Sequence, residues 1–174
     1  MNDFRSVTDQ KLIDRLETNI APLLDGPWLL RGEALARRLW TAVPVEKGRH
    51  VEPKDAQRLA SAIRQETPTP CYALATEPTG EQPRAYEVVA SENGLLDFSH
   101  ECAGLNFILV PLNLAFALLF TSEDYNVYAG PRRFVEAALG TSIRNARAAF
   151  HQYAADPWWK GRLLKVHQQY ESIG

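Results

Sequence analysis

The chain has little excess charge of either sign. Among its 174 residues, 19 Lys and Arg face 21 Asp and Glu, which leaves a formal net charge of −2. The pI is near 6.1. A domain that binds nucleic acid is expected to be basic, with clustered Lys and Arg side chains. The composition therefore offers no electrostatic case for a nucleic-acid partner.

The chain has few cysteines, and its first residues do not resemble a secretory signal. Its first ten residues, MNDFRSVTDQ, contain neither a basic region nor an apolar stretch, so we expect a cytoplasmic protein. In a reducing compartment, Cys71 and Cys102 are expected to be free, buried thiols. Both lie in segments that resemble strands, and they would be able to pair if those strands were neighbours.

The common catalytic motifs are missing as well. The sequence contains no G-x-S-x-G elbow, no Walker loop and no G-x-G-x-x-G fingerprint. Its densest reactive cluster is Ser99-His100-Glu101-Cys102, where a strand would place His100 and Cys102 on one face. Zinc requires three or four ligands, so this pair is half a metal site at most. The remaining histidines are scattered singly: His50, His151 and His167. We expect neither a metal nor a cofactor.

The longest charge-free stretch is CAGLNFILVPLNLAFALLFTS, which covers the 21 residues 102–122. About 20 apolar residues are enough to cross a membrane as a helix. However, Asn106, Pro111 and Asn113 interrupt the stretch, and the apolar pieces between them have the length of strands. Residues 110–113 fit a type I turn, with Pro111 at its second position. We therefore predict two buried strands and no membrane partner.

Turn-forming residues divide the surrounding region into further strands. Glu77-Pro78-Thr79-Gly80 ends one segment, and Asn93-Gly94 is a strong hairpin signal. The predicted strands are 71–76, 85–91, 95–103, the two pieces of the charge-free stretch, and 125–130. Connections this short permit only antiparallel neighbours. The prediction is an antiparallel meander of about five or six strands, with the most apolar members in the middle.

Helical periodicity brackets this sheet in the sequence. Before the sheet, helices are predicted from Leu12 to an end marked by Pro22, near 35–40, and from Pro53 to before Pro68. After it, one helix opens at Gly130-Pro131 and closes at Gly140, Thr141 or Ser142 caps the next, and Asp156-Pro157 caps a last helix that includes Trp159. The order of helices, strands and helices predicts a single α+β domain over 1–174.

Several aromatic and charged side chains do not belong to the apolar periodicity that predicts the core. Tyr125 and Tyr128 cannot share one face of a strand, so one of them is expected to be exposed. Arg132 and Arg133 begin a helix, where cations oppose the helix dipole. Tyr, Trp and Arg dominate the hot spots of protein interfaces, and the acidic turn before Tyr125 offers carboxylates to a basic cleft. The candidate partner-binding residues are Glu123, Asp124, Tyr125, Tyr128, Arg132, Arg133 and Trp158.

The stretch NLAFALLFTSEDYNVYAGPRRFVEAALG, residues 113–140, resembles a pattern in small bacterial immunity proteins of polymorphic toxin systems. The pattern consists of an apolar strand, an acidic turn, an aromatic strand, Ala-Gly-Pro, and a helix that contains Phe. The resemblance implies a cytoplasmic α+β protein that neutralises a toxin domain by direct binding and performs no chemistry itself.

Two alternatives to an immunity protein stay open. One is a small hydrolase or transferase that uses His100 or Cys102, since a cysteine nucleophile needs only a suitably placed base. The other is a phage or host-defence accessory protein that binds a small ligand. A protein-binding module is the interpretation that the leftover aromatic and arginine side chains favour.

Overall fold

The computed structural model of the chain describes residues 3–47, 51–68 and 70–174. These residues form an α+β fold with one seven-stranded antiparallel sheet, in the order β1-β4-β3-β5-β6-β7-β2. The strands are β1 (Phe4–Ser6), β2 (Thr41–Glu46), β3 (Cys71–Ala75), β4 (Ala85–Val88), β5 (Phe107–Pro111), β6 (Ala117–Phe120) and β7 (Tyr125–Gly130). The predicted fold class is confirmed.

The helices lie on both faces of the sheet. They are α1 (Gln10–Ile20), α2 (Gly32–Arg37), α3 (Pro53–Glu66), α4 (Glu92–Glu101), α5 (Arg132–Leu139), α6 (Ile143–Ala154) and α7 (Arg162–Glu171). Two short 3₁₀ helices cover Ala21–Leu23 and Pro157–Trp159. Several predicted signals set their ends: the Ser142 hydroxyl accepts a hydrogen bond from the Asn145 amide, and Gly140 ends α5 in the left-handed conformation, with a φ of 68°.

The charge-free stretch forms β5 and β6, as predicted, and every residue of β5 is buried. The turn between them lies one residue later than expected, because the Leu114 amide donates to the Pro111 carbonyl at 2.9 Å. Asn113 therefore takes the third position of the turn, where its side chain accepts from the Ala115 amide at 3.1 Å. Within the described ranges, no helix is both long enough and apolar enough to span a membrane.

The predicted hairpin at Asn93-Gly94 and the predicted strand 95–103 are wrong, because these residues form α4. The Ser91 hydroxyl accepts a hydrogen bond from the Gly94 amide at 2.9 Å and so caps the helix. Leu95 and Phe98, three residues apart, face the core together. Since β3 lies between β4 and β5, the chain has to pass over β3, and α4 makes that crossing.

Two strands were not predicted, and both lie at the edges of the sheet. The short strand β1 pairs with β4, and β2 pairs with β7 along its whole length, from Thr41 opposite Gly130 to Glu46 opposite Tyr125. Pro44 lies inside β2, which is tolerated because an edge strand leaves one row of backbone groups unpaired. Both strands were hidden because their partners lie far away in the sequence.

The last predicted helix is split into two. Asp156 caps the 3₁₀ helix Pro157–Trp159, and its carboxylate accepts from the Trp158 amide at 2.8 Å. Lys160 and Gly161 then adopt left-handed conformations, with φ of 48° and 75°, which no α-helix can contain. The helix α7 therefore begins at Arg162, and Trp159 is not part of it.

Both faces of the sheet are buried under helices. Helices α3, α4 and α5 pack on one face, where their apolar residues meet alternate residues of the strands, among them Ala73, Leu109 and Leu118. Helices α1 and α7, with part of α6, cover the other face, where the intervening residues Leu74, Ile108 and Leu119 lie. Alternate side chains of a strand point to opposite faces, so each central strand contributes to two cores.

Buried hydrogen bonds tie the loops together at the end of the sheet where the 121–124 turn joins β6 to β7; we call this the Asp124 end. Asn106 is 1% exposed. Its amide nitrogen donates to the Glu77 carboxylate, and its amide oxygen accepts from the Ser122 backbone at 2.6 Å. Nearby, the Thr76 hydroxyl donates to the Pro27 carbonyl at 2.9 Å. Three connecting segments are thereby held in fixed positions.

Replacing Asn106 with Ala is expected to lower the free energy of unfolding by about 1–3 kcal/mol, because the Ser122 amide loses its acceptor. The matched control is Asn113→Ala, which removes an exposed hydrogen bond of the same kind. We expect the control to cost less than about 0.5 kcal/mol. Urea unfolding of the two variants checks this prediction, and equal losses would contradict the role given to Asn106.

Candidate functional site

The predicted partner-binding residues divide between the two ends of the sheet. Glu123 and Asp124 precede β7, whereas Arg132 and Arg133 follow it. The six residues of β7, Tyr125–Gly130, span about 20 Å, since a strand rises about 3.3 Å per residue. The structure therefore does not bring the acidic pair and the arginine pair together into one patch.

Both arginines are paired within the chain. Arg133 donates to both oxygens of the Glu66 carboxylate, at 2.9 and 3.2 Å, and this hydrogen bond raises the pKa of Arg133. Arg132 lies 3.3 Å from the Glu136 carboxylate, one turn further along α5. These carboxylates offset the cost of placing two cations at a helix start.

The two tyrosines face opposite sides of the sheet, as predicted, but the expectation that one is exposed is wrong. Tyr125 is buried, and its hydroxyl donates to the Trp28 carbonyl at 2.9 Å. Burial, reinforced by the nearby Glu123 carboxylate, raises the pKa of Tyr125 to about 12. Tyr128 is half-buried among residues of α3 and β2. Tyr125 is therefore not free for a partner, and Tyr128 offers only part of its surface.

Three of the predicted residues do come together, and Arg162 joins them. Its guanidinium pairs with the carboxylate of Glu123 and, at 2.6 Å, with that of Asp124. The hydrogen bond that Arg162 donates to the Asp124 carboxylate raises the pKa of Arg162 above its usual value. The fork of Arg162 thus bridges both carboxylates of the turn, and the same residue begins α7 directly after the segment that carries Trp158.

The 3₁₀ helix Pro157–Trp159 holds its two tryptophans in different environments. Trp159 packs on Tyr153, with ring centres 5.2 Å apart, and the Arg162 guanidinium lies 5.8 Å from the Trp159 ring. The Tyr153 hydroxyl donates to the Asp124 carbonyl at 3.3 Å. Trp158, in contrast, is 79% exposed. One indole anchors the segment, and the other projects into solvent.

These residues line an open pocket of about 530 Å³. Its walls are the two indoles and three charged side chains. We call this surface the tryptophan patch; its residues are Glu123, Asp124, Trp158, Trp159, Lys160 and Arg162. The patch combines apolar area with charges of both signs, which suits binding more than proton transfer.

Arg162, Lys160 and Trp159 were not identified as candidate binding residues from the sequence. Arg162 lies inside the predicted last helix, where nothing marks it as a partner of a turn 38 residues earlier. The available signal was Lys160-Gly161, a break that would have separated the Trp pair from α7. Because of that break, the two tryptophans lie in a short 3₁₀ helix. Adjacent residues of such a helix point in different directions, so Trp158 is exposed while Trp159 packs on the protein.

The reactive cluster 99–102 has no catalytic arrangement. It lies at the end of α4, so His100 and Cys102 do not share a strand face, and His100 is on the exposed side of the helix. Burial raises the pKa of the Cys102 thiol to about 12, and the nearby Glu101 carboxylate adds to this effect. A thiol with this pKa is protonated at neutral pH and is a poor nucleophile.

Cys71 is also free and buried, and burial raises its pKa to about 12. In ranges 3–47, 51–68 and 70–174, no three His, Cys, Asp or Glu side chains are grouped so that they could hold a metal ion. His50, one of the scattered histidines, lies outside the described residues.

Comparisons of the chain with protein-family models, with curated proteins and with solved structures found no match.

Both cysteines are expected to resist alkylation by iodoacetamide at pH 8 in the folded protein, since each thiol stays protonated well below a pKa of about 12. In denaturant, both should react readily, because an exposed thiol titrates near its ordinary pKa of about 8.5. Mass spectrometry of the labelled chain measures the extent at each position. Rapid native labelling of Cys102 would restore it as a candidate nucleophile.

Proposed function

We propose that this chain is a protein-binding module and that the tryptophan patch is its binding surface. The partner is a folded protein that inserts an apolar or aromatic side chain beside Trp158 and surrounds it with charged groups. The observation that carries this proposal is the 79% exposure of Trp158 on a segment whose neighbour, Trp159, is anchored.

An indole that stays exposed to water contributes less to the stability of the fold than a buried one. Burying a large apolar side chain gains roughly 1.5–3 kcal/mol, so an indole left in water forgoes that gain. Tryptophan is among the residues most enriched in interface hot spots. Because Asp156 caps the segment, little conformational freedom is lost on binding, and this preorganisation favours affinity.

The charges around Trp158 fit a protein partner better than a nucleic acid. Glu123 and Asp124 carry two negative charges, and Lys160 and Arg162 carry two positive ones. Such a balanced surface gives little long-range attraction for nucleic acid. It favours a partner whose charges alternate in the matching positions, since complementary charge patterns fix orientation and reject wrong partners.

The partner that we propose is a bacterial toxin domain, which makes the chain an immunity protein. Support comes from the resemblance of residues 113–140 to the immunity-protein pattern. That stretch contains β6, the acidic turn, β7 and α5. Its acidic turn supplies Glu123 and Asp124 to the tryptophan patch. A protein that acts by binding alone needs no catalytic group.

Replacing Trp158 with Ala is expected to weaken binding of the partner by about 2 kcal/mol or more, which is about 30-fold in Kd. The matched control is Leu39→Ala, which removes a side chain that is 88% exposed at the opposite end of the sheet. The control should bind like the unmodified chain. Calorimetric titration gives the affinities, and thermal melting establishes that both variants fold.

A double replacement of Arg132 and Arg133 with Ala separates this proposal from the alternative surface at the other end of β7. We expect the double variant to retain its affinity, because both side chains are paired internally and lie about 20 Å from Asp124. Loss of binding in the double variant but not in Trp158→Ala would move the interface to α5.

A dimer that dissociates when Trp158 is replaced would show that the patch serves self-association instead.

The toxin assignment is tested separately, by growth. If the chain is an immunity protein, its co-expression should restore growth of cells that produce the toxin domain encoded beside it. Trp158→Ala should restore growth less well, and Leu39→Ala should do so fully. Failure of the unmodified chain to protect the cells, or to bind that toxin domain, would overturn the assignment.

A further inference from the structure

A second pocket, of about 520 Å³, opens between α6 and α7 and lies apart from the tryptophan patch. Five of its nine lining residues are arginine or histidine. The side chains concerned are Arg132, Arg144, Arg147, His151 and His167. The carboxylate of Glu171 also lines the pocket.

Arg147 is fixed firmly in this pocket but is not fully satisfied. One of its terminal nitrogens donates to the backbone carbonyls of Ala42, Tyr170 and Ile173, at 3.3, 3.1 and 2.6 Å. Its Nε is buried and has no hydrogen-bond partner among the described residues. Burial of the group lowers the pKa of Arg147. An unpaired buried N–H on a charged group costs more than on a neutral one.

His167 has the same deficit. Its side chain is 7% exposed, and within the part of the chain that the structure describes its Nδ1 has no hydrogen-bond partner. Its Nε2 lies 4.0 Å from the Glu171 carboxylate, which is too far for a hydrogen bond. The ring of His151 lies edge to face with it, 5.1 Å between centres. Two buried nitrogens at one pocket, Arg147 Nε and His167 Nδ1, thus lack a partner among the described residues, and this calls for an explanation, since native proteins rarely leave such groups unpaired.

Arg144 supplies a guanidinium that the protein does not use. It is exposed, and it makes no hydrogen bond or ion pair with any described residue. Arg132, on the other wall, shares its charge with Glu136. Arg144 and Arg147 are therefore the two cations of the pocket wall without an ion-pair partner among the described residues, and Glu171 and Gly174 line the same pocket.

We propose that this pocket binds a small molecule that carries a phosphate group. Arginine and histidine side chains line it from three helices, α5, α6 and α7, which suits the several oxygens of a tetrahedral phosphate. A carboxylate would be satisfied by the planar fork of one arginine. The volume exceeds that of inorganic phosphate and leaves room for an organic remainder, as is typical of small-ligand sites.

The test uses the full chain and three probes: inorganic phosphate, adenosine monophosphate and acetate. We expect saturable binding of both phosphate compounds by calorimetry and little binding of acetate. Arg144→Ala should weaken phosphate binding about tenfold or more, which corresponds to the loss of one charge-assisted hydrogen bond. The matched control is Arg15→Ala, an exposed arginine on α1, which should change nothing.

Imidazole NMR signals localise the binding. Phosphate should shift the ring resonances of His151 and His167 in the unmodified chain and in Arg15→Ala, and should shift them less in Arg144→Ala at the same concentration. Tighter binding of adenosine monophosphate than of inorganic phosphate would identify an organic phosphate as the ligand, and equal affinities would identify free phosphate. The proposal is overturned if neither phosphate compound binds at millimolar concentration, if acetate binds as well as phosphate, or if Arg144→Ala has no effect.

Discussion

The burial of the central strands on both faces is the constraint on which the rest of the structure depends. Every residue of β3 and β5 is buried, and helices cover both sides of them. A strand that is covered twice has no side chain to offer to solvent. Binding chemistry is thereby confined to the ends of the sheet and to the outer surfaces of the helices. The tryptophan patch lies at one end of the sheet, and the pocket between α6 and α7 lies on the outer surfaces of helices.

At the Asp124 end of the sheet, polar contacts fix the positions of the connecting loops. Asn106 fixes the turns on either side of it, and Arg162 ties the acidic turn to the segment before α7. Trp159 is held between Tyr153 and that arginine. These contacts hold the backbone of Trp158 still while leaving its indole exposed. We propose that this indole is an interface anchor, and a fixed backbone reduces the conformational entropy that such an anchor loses on binding.

Much of the fold was predictable because local signals and tertiary needs agree. Pro53 opens α3, and the apolar pieces on either side of Pro111 form the buried strands that their composition predicts. At Asn93-Gly94 the signals conflict: the dipeptide favours a hairpin, but Ser91 caps a helix. The helix forms because the chain has to cross β3. Strand order is a non-local property, and no short motif contains it.

The candidate site was predictable only in part, for a related reason. Trp158 was identified by residue type, since a second indole beside Trp159 cannot share its environment. Grouping Tyr125 with Arg132 failed because neighbours in sequence are carried apart by a strand. The contribution of Arg162 was not predictable, because its pairing with the acidic turn joins residues that are 38 positions apart.

Hydroxyl-radical footprinting of the chain, alone and bound to its protein partner, measures directly whether the tryptophan patch is the interface. In the free chain, Trp158 should be oxidised readily, as its 79% exposure implies. On binding, its oxidation should fall sharply, while that of Leu39 at the other end of the sheet should stay the same. Unchanged oxidation of Trp158 in a saturated complex would contradict the account.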